Sequence, residues 1–228
     1  MYRGYFRKNE LMLGLELGKI DKNPKEFLFI GAHCDDIEIG CGGAVLRLAK
    51  QYPQANFRWI VFSSNEQRAL EASRSHAFFL KDVARKSLVI KNYRNGYFPY
   101  CGDLIKDYFE ELKETVRPDV IFTHYMGDYH QDHRILSELT ANTFRDHFIL
   151  EYEIPKYDGG LASPHIFFPL HESEYQSKVE ILLECFSSEA NKHWFTRETF
   201  LGIMKLRGIE CNASSGYAEG FFCRKAII

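Results

Sequence analysis

Phe27-Leu28-Phe29-Ile30-Gly31-Ala32-His33-Cys34-Asp35-Asp36-Ile37-Glu38 is an apolar run that ends in a histidine and three acids. Such a run suits a strand buried on both faces of a parallel sheet. Its polar residues then stand just past the strand's carboxyl end, where open α/β sheets bind their ligands. A second stretch repeats the arrangement, with Val120-Ile121-Phe122 followed by Asp128-Tyr129-His130-Gln131-Asp132-His133. Two such clusters, far apart in the chain, can meet at one edge of a sheet. Together they supply two imidazoles and a carboxylate for a metal, and leave a carboxylate and an imidazole for proton transfer. That is the set of groups a hydrolytic zinc site needs.

The sequence around these clusters alternates between strand and helix. Strands are expected at Phe27–Ala32, Phe57–Phe62, Ser87–Ile90 and Val120–Phe122. Gly40-Cys41-Gly42-Gly43 opens a helix that runs through Lys50, with Pro53 beyond it. Ser63-Ser64-Asn65 caps another to about Leu80. Asp103–Val116 carries the clearest apolar stripe, with Leu104, Ile105, Tyr108, Phe109, Leu112 and Val116 in register. This alternation implies parallel strands joined by crossover helices, a Rossmann-like three-layer α/β sandwich around a mostly parallel sheet. After Phe148 the rhythm changes: strands at 149–154 and 166–170, helices at 174–186 and 196–206 with a stop at Gly208, and a closing strand over 219–228. Residues 1–26 read as an N-terminal appendage and 27–228 as one domain, whose last third would shape a substrate pocket.

Each chemical motif has a plainer alternative. Asp35 and Asp36 repel one another past a buried strand unless a positive charge lies beside them, and a cation is the simplest resolution. Glu38 fits a structural role near a helix N-terminus, where its charge is favoured. His130 and His133 are three apart, so a helical turn brings them to one side. The glycines 40, 42 and 43 could form a dinucleotide loop, but the adjacent acids would repel a pyrophosphate, so close helix–sheet packing is the preferred reading.

Composition narrows the class. The chain has 228 residues, 45% apolar and 26% charged, with a formal net charge of −2. These values fit one large globular domain and give no basic field for nucleic acid. The N-terminal residues have no apolar core of a signal peptide, and no apolar stretch is long enough to span a bilayer. None of the six cysteines forms a C-x-x-C pair. Reduced thiols and a cytoplasmic location are therefore expected.

The first motif, Ala32-His33-Cys34-Asp35-Asp36-Ile37-Glu38, resembles the Ala-His-Pro-Asp-Asp-x-Glu signature of the PIG-L (LmbE-like) zinc N-deacetylases, with Gly42-Gly43 in register. Residues 128–133 resemble that family's Asp-x-His-x-Asp-His signature. Arg68-Ala69-Leu70-Glu71 and Tyr217-Ala218-Glu219-Gly220-Phe221 resemble two weaker family motifs. The likeness spans about 27–225, with one departure: Cys34 stands where the family usually has proline. A packed neutral thiol is expected there.

The resemblance implies one zinc per chain, held by His33, Asp36 and His133. It implies Asp35 as the general base, His130 in protonated form as oxyanion stabiliser, and Asp132 holding the His130 ring. Arg68 is implied as a substrate contact, with a salt bridge to Glu71 as the alternative. The implied reaction removes the acetyl group from an N-acetylated amino sugar, as a sugar nucleotide or a small glycoconjugate. A homo-oligomer is left open. Two other readings stay open on the residues alone: a sugar-binding protein of the same fold without activity, and a metal-dependent phosphohydrolase. Tyr157, Asp158, Gly159 and Gly160 are expected in a loop near the pocket.

Overall fold

Strand β1 (Glu26–Gly31) is an interior strand of a seven-stranded sheet. The computed structural model describes residues 24–227, together with Gly14 and Leu17. Most of the expected appendage over 1–26 lies outside the described residues. In chain order the remaining elements are α1 (Asp36–Gln51), β2 (Asn56–Val61), α2 (Glu66–Phe79), β3 (Arg85–Ile90), α3 (Gly102–Thr115) and β4 (Val120–His124). Then come α4 (Gln131–Thr143), β5 (Phe148–Tyr152), β6 (Ile166–Pro169), α5 (Glu172–Cys185), α6 (Arg197–Glu210) and β7 (Ala218–Cys223).

The strand order is β3-β2-β1-β4-β5-β7-β6. Strands β3, β2, β1, β4 and β5 pair in parallel, and β7 runs antiparallel to both β5 and β6. The order reverses between β1 and β4, so the crevice at their carboxyl ends is the sheet's switch point. His33 follows β1 there, and His124 ends β4.

Alternation along β1 divides the interior into two cores. Phe27 and Phe29 point to the side covered by α1, α2, α5 and α6; Leu28 and Ile30 point to the side covered by α3 and α4. Phe29 stacks on Phe122 with ring centroids 4.8 Å apart and also on Phe57. Truncating so buried a ring to alanine costs about 3–5 kcal/mol. Among the described residues no helix is long and apolar enough to cross a membrane.

The strands follow the expected pattern to within about two residues at most ends, and three boundaries differ by more. Helix α1 begins at Asp36, not Gly40, so the acids taken for a loop form its first turn. Their charge is favoured at the positive end of the helix. Helix α6 passes through Gly208 to Glu210. Gly208 is needed for contact, since a Cβ there would lie 2.2 Å from the Gly216 carbonyl oxygen. Strand β7 stops at Cys223. A 3₁₀ turn at Phe98–Cys101 and all but the first turn of α4 carried no clear signal in the sequence.

Candidate metal and active site

Three elements deliver the site. Strand β1 ends at Gly31, and the Ala32 N–H donates to His124 Nε2 at 2.9 Å, which ties the exit of β1 to the end of β4. His33 follows. Asp35 is the N-cap residue of α1 and Asp36 lies in its first turn. From the other side, His130 caps α4 and His133 sits in that helix's first turn. The two motifs, about a hundred residues apart, thus meet at the switch point.

Three donor atoms converge. His33 Nδ1 lies 3.3 Å from Asp36 Oδ2 and 3.3 Å from His133 Nε2, and His133 Nε2 lies 3.5 Å from Asp36 Oδ2. A tetrahedral zinc with bonds of ~2.0–2.1 Å requires donor atoms about 3.3 Å apart. The triangle therefore has the dimensions of one face of a zinc tetrahedron, so the residues fit the metal. Two further His/Asp groups lie close by: His33 with His130 and Asp132, and His124 with Asp128 and His133. In the last, Asp128 is already neutralised by Lys156, whose Nζ is 2.6 Å away.

The electrostatics of the triangle point the same way. Burial works against ionised Asp36, but His133, His124 and His33 hold its carboxyl well below the usual range. Burial and the neighbouring His124 push His133 down to about 3, so its ring is neutral, the form that ligates. Burial also works against a charged His33, yet Asp36, Asp132 and Asp35 lift it to about 10. A proton on His33 here takes the place that a cation fills in a cluster of acids.

Further side chains hold the three donor residues in place. Asp128 Oδ2 is 2.9 Å from His133 Nδ1, and its Oδ1 accepts from the His130 N–H at 2.7 Å. This carboxylate sets the His133 tautomer so that Nε2 faces the triangle. His124 stacks on His133, with ring centroids 3.9 Å apart. The Tyr152 hydroxyl donates to the Ile30 carbonyl at 2.6 Å and closes the same corner.

The candidate proton-transfer groups lie beside the triangle, and two expected contacts differ. Asp35 accepts a 2.6 Å bond from Arg68 Nη2, while Arg68 Nη1 donates to Glu189 at 2.6 Å. Arg68 therefore does not pair with Glu71, which instead accepts from Ser187, Ser188 and Gln67. Burial raises the Asp35 carboxyl in spite of Arg68, with Asp36 and Glu189 adding to it.

The second difference concerns Asp132. Its carboxylate accepts from the Gly96 and Phe98 N–H groups and lies 3.5 Å from His33 Nε2. It meets His130 only through its backbone N–H, which donates to Nδ1 at 3.2 Å. The expected carboxylate contact to the His130 ring is absent because the 96–98 turn already occupies Asp132. Burial and the charge on His33 lower the His130 pKa. With Nδ1 accepting, the proton resides on Nε2.

The other named residues fall as follows. Cys34 is buried, within 3.1 Å of Ser64 Oγ, and burial raises its thiol to about 11. It is a packed neutral thiol. Glu38 is buried in the first turn of α1, and burial lifts its carboxyl to about 8. Gly159 and Gly160 have φ of +74° and +88°, and Tyr157 bonds His193. A Cβ on Gly160 would lie 3.5 Å from Tyr129, so this loop does border the second motif.

Sequence reasoning missed His124, Lys156 and Glu189. His124 was within reach, since β4 extends two residues past Phe122 and ends in it, much as His33 follows β1. Lys156 and Glu189 lie in irregular segments and carry no local pattern.

Comparison with known proteins agrees with this geometry. Residues 28–144, just over half of the chain, match the family model described as PIG-L: GlcNAc-PI de-N-acetylase. N,N'-diacetylchitobiose deacetylase from Pyrococcus horikoshii superposes with a TM-score of 0.65 at 19% identity, covering 88% of this chain and 84% of that one. The zinc-inhibited form of teicoplanin deacetylase Orf2 gives 0.66 at 11% identity, covering 87% and 97%. GalB, the 4-carboxy-2-hydroxymuconate hydratase of Pseudomonas putida KT2440, gives 0.65 at 16% identity, covering 90% and 98%. At these identities the likeness is one of fold. The matched segment runs from β1 to the end of α4 and so contains both halves of the triangle. On that match the chain belongs to the PIG-L family.

Proposed function

We propose that the chain is a zinc-dependent hydrolase that removes the acetyl group from an N-acetylated amino sugar, as a sugar nucleotide or a small glycoconjugate. The observation that carries this reading is the triangle of His33 Nδ1, Asp36 Oδ2 and His133 Nε2, with edges of 3.3–3.5 Å, beside the carboxylate of Asp35. His33, Asp36 and His133 would hold the metal. Two imidazoles and one carboxylate leave a fourth position open, the pattern of a catalytic rather than a structural site.

When bound, zinc lowers the pKa of a water towards ~7 and polarises a carbonyl oxygen. The chain's own groups do the rest. Asp35 accepts the water's proton during attack on the acetamide carbon. Its raised pKa lets it keep that proton and pass it to the departing nitrogen, so one carboxyl serves as base and then as acid. Arg68 fixes Asp35 by its Nη2 bond and prevents rotation away from the triangle. His130, with its proton on Nε2, donates a hydrogen bond to the carbonyl oxygen as negative charge develops there. Asp128, itself balanced by Lys156, holds the His133 ring in orientation.

A hydratase of the same fold means that architecture alone does not decide the reaction. The full set of metal donors, base and neutral donor supports amide hydrolysis over passive sugar binding. The test is direct. Zinc-loaded protein is incubated with a panel of N-acetylhexosamine derivatives, and acetate and primary amine are both measured. Equal release of the two is the expected result. Phosphate release without acetate would replace this reading with a phosphohydrolase, and sugar binding without product would replace it with a binding protein. A cytoplasmic location and a single domain over 27–228 are part of the same proposal.

A further inference from the structure

Helix α1 is broken where the metal ligands need it to be. Cys41 has φ −142° and ψ 18°, outside the helical range, so the turn carrying Asp36 and Glu38 is set off from the rest of the helix. No proline is present to explain the break, and a side chain inserted into the ladder is the usual alternative. Here two side chains are inserted. Lys178 of α5 donates from Nζ to the Ile39 carbonyl at 2.7 Å. Glu219 of β7 accepts the Gly43 N–H on Oε1 and the Ala44 N–H on Oε2, each at 2.7 Å. Ile39 C=O and Gly43 N–H are the two groups that an unbroken turn would join to each other.

The inserted pair is closed on itself. Lys178 Nζ lies 2.6 Å from Glu219 Oε1, and both side chains are almost wholly buried. The glycines around the break admit it. A Cβ on Gly42 would lie 3.3 Å from Lys178, and one on Gly43 would lie 3.0 Å from Glu219 and clash with Leu170. A Cβ on Gly40 would lie 2.1 Å from the ring of Tyr152, which itself closes the corner beside His124. Burying an ion pair in an apolar core brings little stability by itself. This pair instead has three hydrogen-bonding atoms committed to the backbone of one helix turn.

We infer that Lys178 and Glu219 are positioning residues for the metal site, acting through the break in α1 to set the angle at which Asp36 faces His33 and His133. The inference rests on the metal-site reading above. Neither residue touches the triangle, so their effect is on its geometry and not on its chemistry.

The experiment is a zinc titration against a chromogenic chelator, with melting temperature measured alongside. Wild type is expected to bind about one zinc per chain. In K178M/E219Q no buried charge is left unpaired, but the Ile39 carbonyl loses its donor and the glutamine can accept through one oxygen only, so the melting temperature should fall. Zinc affinity should then fall ~10–100-fold, the scale for groups that orient metal ligands. If the double variant does not fold, Glu219→Gln is measured at a temperature where it is folded, and a fall of several-fold is still required. Wild-type zinc affinity in either folded variant overturns the inference, including the case in which melting alone drops. Absence of zinc binding by wild type overturns the metal-site reading itself, a result distinguishable from failure of the clamp.

Discussion

Arg68 holds Asp35 through a 2.6 Å bond from Nη2 to Oδ1, and its other terminal nitrogen is held by Glu189. The guanidinium is thus a bridge between the proposed base and a segment far along the chain. Lysine keeps the charge but cannot bond two carboxylates from one plane. A charge-assisted hydrogen bond is worth about 1.5–3 kcal/mol, so Arg68→Lys should lower kcat/KM roughly 10–100-fold. Zinc content should stay at the wild-type level. Loss of zinc together with activity would move Arg68 from the substrate side of the site to its metal scaffold.

Asp35 and Asp36 are neighbours with opposite duties. Asp36 Oδ2 faces both His33 and His133, whereas Asp35 faces Arg68. Asp35→Asn should keep zinc and lose turnover by about 10²–10⁴-fold, because an amide cannot accept the proton. Steady-state kinetics on protein of measured metal content checks this. If the variant loses zinc, the two roles are exchanged.

Asp128 is expected to matter for metal and not for chemistry. It orients His133 from 2.9 Å and is balanced by Lys156. Asp128→Asn should weaken zinc binding ~10–100-fold, read by chelator competition. With zinc in excess, turnover should recover most of the way. Turnover that stays low at full metal occupancy would place Asp128 in the reaction.

His76 gives a test of stability remote from the site. It packs edge-on against Trp59, and burial together with Lys86 lowers its pKa from 6.5 to about 4. The folded state therefore binds this proton less readily than the unfolded state. The stability it supports is fully present above pH 6.5 and is lost as pH falls from 6.5 through 4. The loss over that window is about 2–3 kcal/mol. His76→Leu should flatten the dependence of melting temperature on pH across it. An unchanged slope would remove His76 as the cause.

Much of the fold was legible because its strands are buried on both faces. Phe27–Ile30 and Val120–Phe122 read as continuous apolar runs, and the polar residues after each marked the same edge of the sheet. The start of α1 was misread for the opposite reason. Three acids beside a glycine-rich stretch look like a loop, although acids in a first turn are what a helix N-terminus favours. Gly208 looked like a helix stop, but its requirement comes from Gly216 packing against it, which no local pattern reveals. The same holds for the partners of the site. Arg68 and Glu189 are 121 residues apart, and Asp128 and Lys156 are 28 apart. Such pairings are consequences of the finished tertiary structure.

Strand β7 sits between β5 and β6, although it follows both in the chain. Its Glu219 reaches back 176 residues to the Gly43 amide. Closure of so long a loop carries an entropic cost that must be met before its contacts contribute, and such distant pairings form slowly. During synthesis, β1 through β5 leave the ribosome with every proposed metal ligand already made, while the strand that completes the sheet between them and β6 is still to come. Assembly of a competent centre is therefore set as a late event in the life of the nascent chain, and a polypeptide halted before β7 would carry the ligands without the frame that aligns them.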